Sequence, residues 1–181
     1  MDETDALWIP STNCFPDREG YRPRWIILHG TAGFPSAEAV GYYFQRADVA
    51  THYIIGRDGV IVQTVREGDG AWGNGGISEG HDAWWDRSIN PNNVTISIEH
   101  VKPSRDNADE LTEVQTEASF LLIEHICRRH AIPRHYADGE GGITGHFSMD
   151  PVNRDFCPGP YPWEELFAYL RLWERGDGSR S

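Results

Sequence analysis

The segment that most restricts the fold is the run of eight residues from Val94 to Val101, which contains no Gly or Pro. Such a run predicts a β-strand whose successive side chains point to opposite faces of a sheet. One face carries Ile96, Ile98 and His100, and the other carries Ser97, Glu99 and Val101. A carboxylate inside an apolar strand is costly unless it is paired or takes part in chemistry. Glu99 therefore indicates either a functional site or an edge strand whose carboxylate lies in solvent.

Strand and helix patterns alternate through the rest of the chain. Predicted strands cover residues 24–29, 51–56 and 60–65, and the last two form a hairpin around an Asp-Gly turn. Predicted helices cover residues 36–47, run from a capping box at 112–115 to about residue 129, and begin at Pro162. This mixture predicts a single α/β domain in which helices flank a central β-sheet of mixed direction.

Three regions lie outside this pattern. Residues 1–23, interrupted by three prolines and a glycine, are expected to form an irregular arm packed on a domain of residues 24–175. Residues 66–93 are rich in Gly, Asn and Asp and are expected to form a long functional loop region. Residues 176–181 have the composition of a linker.

The helix predicted from residue 112 carries two apolar stripes. The first contains Val114, Ala118, Leu121, Leu122 and His125, and the second contains Phe120, Ile123 and Cys127. A helix that is apolar on two sides is expected to be buried between layers. Cys127 then acts as a small apolar filler, and with Cys14 and Cys157 it gives too few cysteines for a disulfide framework.

The charge balance argues against two classes of partner. The chain has 28 acidic and 16 basic residues, a formal net charge of −12. This disfavours a nucleic-acid groove, which needs basic patches, and charge-driven adhesion to anionic membranes. No apolar run approaches ~18 residues, and the acidic start of the chain lacks the pattern of a secretory signal. We expect a monomer that is made in the cytoplasm and does not associate stably with membranes.

Three residues offer the side chains that bind zinc. His29 ends a predicted strand beside a glycine loop, while His146 and Cys157 lie in turn-rich sequence. Two imidazoles and a thiolate, with a fourth position open to water, form the pattern of a catalytic zinc site. Spacing does not fix this set, because these positions are far apart and no paired motif such as His-Glu-x-x-His is present. The histidines are also compatible with ordinary hydrogen-bonded residues, and Cys157 with His146 is compatible with the nucleophile and base of a cysteine hydrolase.

Five sequence segments occur together between residues 24 and 173. They are Ile26-Ile-Leu-His-Gly-Thr-Ala-Gly33, Thr51-His-Tyr-Ile-Ile-Gly-Arg-Asp-Gly59, Ala71-Trp72, Ile96-Ser-Ile-Glu99, and Gly145-His146 with Cys157-Pro-Gly159. In content and order they resemble the type 2 N-acetylmuramoyl-L-alanine amidases. That family includes phage lysins, bacterial wall-recycling amidases and animal peptidoglycan-recognition proteins.

The resemblance implies a hydrolase that cleaves the bond between N-acetylmuramic acid and L-alanine in bacterial peptidoglycan. It implies one zinc ion per chain, held by His29, His146 and Cys157, since the third ligand is Asp in some members and Cys in others. Residues 24–175 then form the zinc amidase catalytic domain of a bacteriolytic enzyme, which we interpret as a phage or prophage endolysin. Such an enzyme reaches the cell wall by secretion or after release by lysis.

The resemblance also assigns catalytic roles. One branch of the family has a catalytic Tyr at the position of Thr51, and the other branch has a Glu at the position of Glu99. This chain therefore follows the Glu branch, and Tyr53 is expected to be a core residue. Many members have Lys two residues before the third ligand, where this chain has Asp155. The neighbouring Arg154 is the candidate for the positive group that stabilises the oxyanion.

A substrate groove is expected beside the zinc. Thr31, Thr51 and Trp72 are the candidate groove residues, and Trp84 and Trp85 are expected either to stack on sugar or to lie in the core. The family's usual His after the Ala-Trp pair is replaced by Gly73. A non-catalytic peptidoglycan-recognition module is the alternative from another functional class, but such relatives lose a ligand, whereas this chain has all three ligand positions filled.

Overall fold

The computed structural model describes residues 1–174 and residue 176. Its strands are β1 (Leu7–Trp8), β2 (Cys14–Phe15), β3 (Trp25–Gly30), β4 (Tyr53–Ile55), β5 (Ile61–Gln63), β6 (Gly70–Ala71), β7 (Thr95–His100) and β8 (Gly142–Gly145). Its α-helices are α1 (Ala37–Phe44), α2 (Glu113–His130) and α3 (Trp163–Glu174). Apart from Gly176, the predicted linker at 176–181 lies outside the described residues.

Six strands form the central sheet in the order β1-β5-β4-β7-β3-β8. Strands β4 and β5 are antiparallel and join at the predicted Asp-Gly turn, where Gly59 has a φ of 82°. The other neighbouring pairs are parallel. The predicted α/β fold with a mixed sheet and flanking helices is therefore confirmed. Strand β7 lies between β4 and β3, so the alternative of an edge strand carrying Glu99 is wrong.

The two faces of the sheet bury different side chains, as the alternation along β7 predicts. On one face α2 and α3 pack against apolar residues that include Ile26, Leu28, Ile96 and Ile98. On the other face α1 packs Val40 and Phe44 against a cluster that includes Ile54, Val62 and Val101. Because Glu99 alternates with Ile98 along β7, its side chain belongs to the α1 face. This face also carries the functional pocket described below.

A third apolar cluster contains Trp25, Ile27 and Trp85. The rings of Trp25 and Trp85 lie 4.9 Å apart, and Trp84 packs at the margin of the same cluster. Trp85 is therefore a core residue, whereas Trp84 is only partly buried. Residues 66–93 otherwise contain only β6 and the start of a 3-10 helix at Pro91–Val94.

Helix α2 agrees with the prediction at its start and differs from it along its length. The Thr112 side chain accepts a hydrogen bond from the Gln115 backbone N–H and so caps the helix. The Gln115 side chain donates to the carbonyl oxygens of Ile55 and Val101 and thereby ties the helix to the sheet. Burial on two sides is wrong for part of the first stripe, because Val114 and Leu121 are exposed. The side of α2 that carries these two residues therefore faces solvent.

The N-terminal segment is more regular than its sequence indicates. Strand β1 pairs in parallel with β5, and β2 pairs with β6. The buried Arg18 guanidinium donates to the carbonyl oxygens of Glu67, Asn92, Asn93 and Thr95 at 2.7–3.3 Å. These contacts tie residues 1–23 to the rest of the chain. None of the helices within residues 1–174 is long and apolar enough to cross a membrane.

Candidate active site

The functional pocket lies where three parallel strands end. In β3 and β7, His29 stands directly opposite Glu99. His146 follows the last residue of β8, whose Gly145 pairs with Leu28 of β3. The carboxyl ends of parallel strands meet at one edge of a sheet, so residues far apart in sequence come together there. The turn that carries Cys157 completes this edge.

The three predicted ligands form a compact cluster. One ring nitrogen each of His29 and His146 and the Cys157 sulfur lie within 4.8 Å of one another. The two imidazole rings are 4.5 Å apart between centroids and cross at 67°. Within residues 1–174 and 176, no other group of three or more His, Cys, Asp or Glu side chains meets this criterion. The donor set of two nitrogens and one sulfur is the one that zinc favours.

Burial keeps the three side chains neutral in the absence of a cation. Burial, with the neighbouring His146, holds the pKa of His29 well below its usual value, and burial lowers the pKa of His146 to about 4. A neutral imidazole has the lone pair that a metal needs. Burial and the nearby Glu99 raise the pKa of the Cys157 thiol to about 12. The thiolate therefore needs a cation beside it, and a zinc ion fits this arrangement of residues.

Asn74 contacts both histidines. The His29 Nε2 atom lies 3.1 Å from the Asn74 side-chain oxygen, and the His146 Nε2 atom lies 2.8 Å from the Asn74 backbone oxygen. Asn74 is almost fully buried in the loop that follows β6. Sequence reasoning did not identify it, and its position two residues after the Ala-Trp pair is the one signal that points to it.

Glu99 is the carboxyl group of the pocket whose pKa is raised toward neutrality. Burial raises its pKa to about 8, although the Arg154 charge acts in the opposite direction. Its Oε2 atom is buried and has no hydrogen-bond partner among the described residues. A carboxyl group with a pKa near neutrality is suited to accept and return a proton.

A cavity of about 450 Å³ opens over these groups. Its walls include Thr31, Arg105, Arg154 and Asp155 beside the ligand cluster and Glu99. Arg154 is exposed, yet its charge opposes the rise in the pKa of both Glu99 and Cys157, so it lies close enough to act on these two groups. Arg105 is a second cation in the wall, and sequence reasoning missed it because nothing in its loop distinguishes it from a solvated charge.

Two of the three candidate groove residues do not line this cavity. Thr51 is buried, and its hydroxyl donates to the Tyr53 backbone oxygen at 3.0 Å. Trp72 packs against Phe15 of the N-terminal segment, with ring centroids 5.5 Å apart. Gly73, which follows Trp72 in the chain, does line the cavity. A Cβ atom at Gly73 would stand 2.9 Å from the Thr51 methyl group, so the His common in the family does not fit without rearrangement.

Tyr53 is a core residue, as predicted. Its ring is fully buried between the sheet and α2, and its hydroxyl donates to Glu67 Oε1 at 2.7 Å. It therefore lies on the opposite face of the sheet from the ligand cluster.

A family model described as N-acetylmuramoyl-L-alanine amidase matches residues 19–160. Among solved structures, a selenomethionine derivative of AmpD has a TM-score of 0.70 at 22% identity, over 93% of this chain and 95% of that chain. A mutant endolysin from Bacillus subtilis has a TM-score of 0.64 at 19% identity, over 93% and 99% of the two chains. AmpDh3 from Pseudomonas aeruginosa, in complex with anhydromuramic pentapeptide, has a TM-score of 0.63 at 25% identity, over 88% and 69%. Among curated protein sequences, none matches significantly.

Proposed function

Because the chain belongs to the N-acetylmuramoyl-L-alanine amidase family, we propose that it is a zinc-dependent hydrolase that cleaves the amide bond between N-acetylmuramic acid and L-alanine in bacterial peptidoglycan. The observation that carries the proposal is the meeting of His29, His146 and Cys157 beside Glu99 in one cavity. The relative from Pseudomonas aeruginosa, solved with anhydromuramic pentapeptide, supports a substrate of this class.

The proposed reaction needs a cation and a group that moves a proton. Zinc, when bound by His29, His146 and Cys157, supplies a Lewis acid that polarises the amide carbonyl and lowers the pKa of water. Glu99 removes a proton from the attacking water as the oxygen bonds to the carbonyl carbon. It then delivers that proton to the L-alanine nitrogen as the carbon–nitrogen bond breaks. In the metal-free protein, burial raises the pKa of Glu99, which favours a carboxyl group that can hold a proton.

We assign Arg154 to the stabilisation of the oxyanion. Its charge acts on Glu99 and Cys157 across the same cavity, and a positive group near the developing negative charge lowers the barrier. Thr31 and Arg105 line the wall of the cavity, and we assign them to the binding of the substrate.

The two alternatives account less well for the pocket. A thiol whose pKa is about 12 is almost fully protonated near neutral pH, which disfavours Cys157 as a nucleophile. A module that only binds peptidoglycan has no use for a carboxyl group with a buried oxygen that lacks a partner among the described residues, and the Oε2 atom of Glu99 is such an oxygen.

The biological setting follows from the same proposal. Residues 24–175 form the catalytic domain of a phage or prophage lysin that acts on the cell wall after secretion or lysis. Endolysins from Bacillus subtilis and from Clostridium intestinale share the fold, which supports this setting. We expect the chain to act as a monomer.

The test is digestion of purified sacculi before and after chelation. We expect new L-alanine amino termini without new reducing sugar ends, loss of this activity with a chelator, and recovery with zinc. His146→Ala is expected to lose zinc and activity. His81→Ala is the matched control, because His81 lies outside the cavity and hydrogen-bonds the Asp82 backbone oxygen.

Each of the other possible outcomes indicates a different activity for this chain. Activity that survives chelation indicates the cysteine hydrolase, and binding to sacculi without product indicates the recognition module. New reducing ends seen by mass spectrometry indicate a glycosidase and contradict the proposal.

A further inference from the structure

Asn74 is held rigidly by its own hydrogen bonds. Its backbone N–H donates to the Asn92 side-chain oxygen at 3.0 Å, and its Nδ2 donates to the Thr95 hydroxyl oxygen at 2.7 Å. The residue is 1% exposed, so water does not compete for these partners. Asn74 therefore has one fixed orientation beside the two histidines.

The hydrogen-bond network decides which way the amide points. The Thr95 hydroxyl donates its hydrogen to the Pro91 carbonyl oxygen at 2.9 Å, so its oxygen accepts from Asn74 Nδ2. The amide oxygen then faces the other way, where the Ser97 hydroxyl donates to it at 3.3 Å. The same oxygen lies 3.1 Å from His29 Nε2.

The two Asn74 oxygens, one of the side chain and one of the backbone, fix the tautomers of His29 and His146. A carbonyl oxygen accepts hydrogen bonds and does not donate them, so the Nε2 atoms of His29 and His146 must each carry hydrogen. A neutral imidazole with hydrogen on Nε2 has its free lone pair on Nδ1. In both rings, Nδ1 is then the nitrogen left to bind a metal.

We propose that Asn74 is a positioning residue that holds both histidines in the Nε2–H tautomer and presents Nδ1 of each ring to zinc. The inference rests on the proposed zinc site. The side-chain oxygen of Asn74 holds His29, and its backbone carbonyl oxygen holds His146. Partners of this kind fix the orientation of metal-binding histidines and increase their affinity.

The division between side chain and backbone gives a sharp test in the metal-free protein. Long-range proton–nitrogen NMR spectra distinguish Nε2–H from Nδ1–H imidazoles. Both rings are expected to be Nε2–H in the wild type. In Asn74→Ala, His29 is expected to become a mixture of tautomers, whereas His146 stays Nε2–H because its partner is the backbone. Asn74→Asp retains an acceptor and is expected to restore the Nε2–H form of His29.

Zinc affinity gives the second measurement. Competition with a chromophoric chelator is expected to show a Kd for zinc raised ~10–100-fold in Asn74→Ala, with most of the affinity restored in Asn74→Asp. Asn93→Ala is the matched control, because Asn93 is a buried asparagine whose Nδ2 donates to Glu19 at 2.6 Å and touches neither histidine. It is expected to change neither the tautomers nor the affinity.

The outcomes separate this inference from the proposed function. An Nδ1–H form of either ring in the metal-free wild type overturns the role of Asn74, without need of any variant. Equal zinc affinity in Asn74→Ala and Asn93→Ala also overturns it, even if the enzyme is an active zinc amidase. Wild-type protein that binds zinc and shows the expected tautomers but releases no L-alanine termini supports the role of Asn74 and contradicts the proposed function.

Discussion

Glu99→Gln and Tyr53→Phe are expected to affect different properties of the protein, although the two residues lie on neighbouring strands. Tyr53 pairs with Ile98, one residue before Glu99, and the two side chains point to opposite faces of the sheet. A shift of one residue in the pairing of β4 with β7 would move Tyr53 to the face of the sheet that carries Glu99. The two substitutions therefore test the register of the sheet together with the chemistry.

Glu99→Gln removes the proton carrier and keeps the size of the side chain. Turnover is expected to fall by ~10²–10⁴, which corresponds to about 3–5 kcal/mol of transition-state stabilisation. The free energy of unfolding of the metal-free variant is expected to stay the same or rise. The reason is that burial raises the pKa of Glu99 to about 8, so near neutral pH folding must protonate a carboxyl group that is ionised in the unfolded chain, and the neutral amide avoids this cost.

Tyr53→Phe removes one buried hydrogen bond and keeps the ring. The lost bond joins the hydroxyl to the Glu67 carboxylate at 2.7 Å, and a hydrogen bond to a charged group contributes ~1.5–3 kcal/mol. We expect the free energy of unfolding to fall by about that amount and turnover to stay near the wild-type value.

Initial rates on purified sacculi and urea denaturation of each variant are the two measurements. Zinc content is measured in parallel, to show that Glu99→Gln still binds the metal. An inactive Tyr53→Phe together with an active Glu99→Gln would refute the reasoning, since it would place the hydroxyl in the site and the carboxyl group outside it.

Two further predictions concern the metal and acid stability. Cys157→Asp is expected to retain part of the zinc and Cys157→Ala to lose most of it, because a carboxylate can replace the thiolate as a ligand; elemental analysis showing equal zinc in both variants would contradict this. Burial raises the pKa of Glu67, but hydrogen bonds from His130, Arg129 and Tyr53 more than offset this and bring it to about 2. Glu67 therefore contributes stability above pH ~4.5 that is lost as pH falls through about 2. Glu67→Gln is expected to lower the free energy of unfolding by roughly 2–3 kcal/mol at pH 7 but by little near pH 2. Urea denaturation at each pH measures this difference.

Strands β3, β4, β5 and β7 and the helix starts are predicted from sequence because local patterns specify them, whereas β1, β2, β6 and β8 are not predicted. Alternation predicts the two faces of β7, and the cap at Thr112 marks the start of α2. The burial of α2 was overestimated since the apolar Val114 and Leu121 have no neighbour over them. Whether an apolar stripe of α2 is covered depends on where other elements pack, and the sequence of α2 does not determine this.

The candidate site also contains residues that the sequence indicates and one residue, Asn74, that it does not. Motifs in the sequence point to His29, His146, Cys157 and Glu99 as candidates, and the structure brings them together around one cavity. No motif points to Asn74, because its role depends on a loop that folds back over two strand ends from elsewhere in the chain. Asn74 contacts the two histidines through one side-chain oxygen and one backbone oxygen. Every residue type has a backbone oxygen, so the sequence cannot indicate that second contact.

The two edges of the central sheet, at β1 and β8, affect how the chain behaves in concentrated solution. On one side, β1 is only two residues long and is soon followed by Pro10, which has no backbone N–H to donate. On the other side, residues 135–137 hydrogen-bond to Ile143 and so occupy the free side of β8. Neither boundary offers a long row of open backbone groups to a strand from another molecule. The β-sheet is thus protected against the edge-to-edge pairing that begins fibril growth.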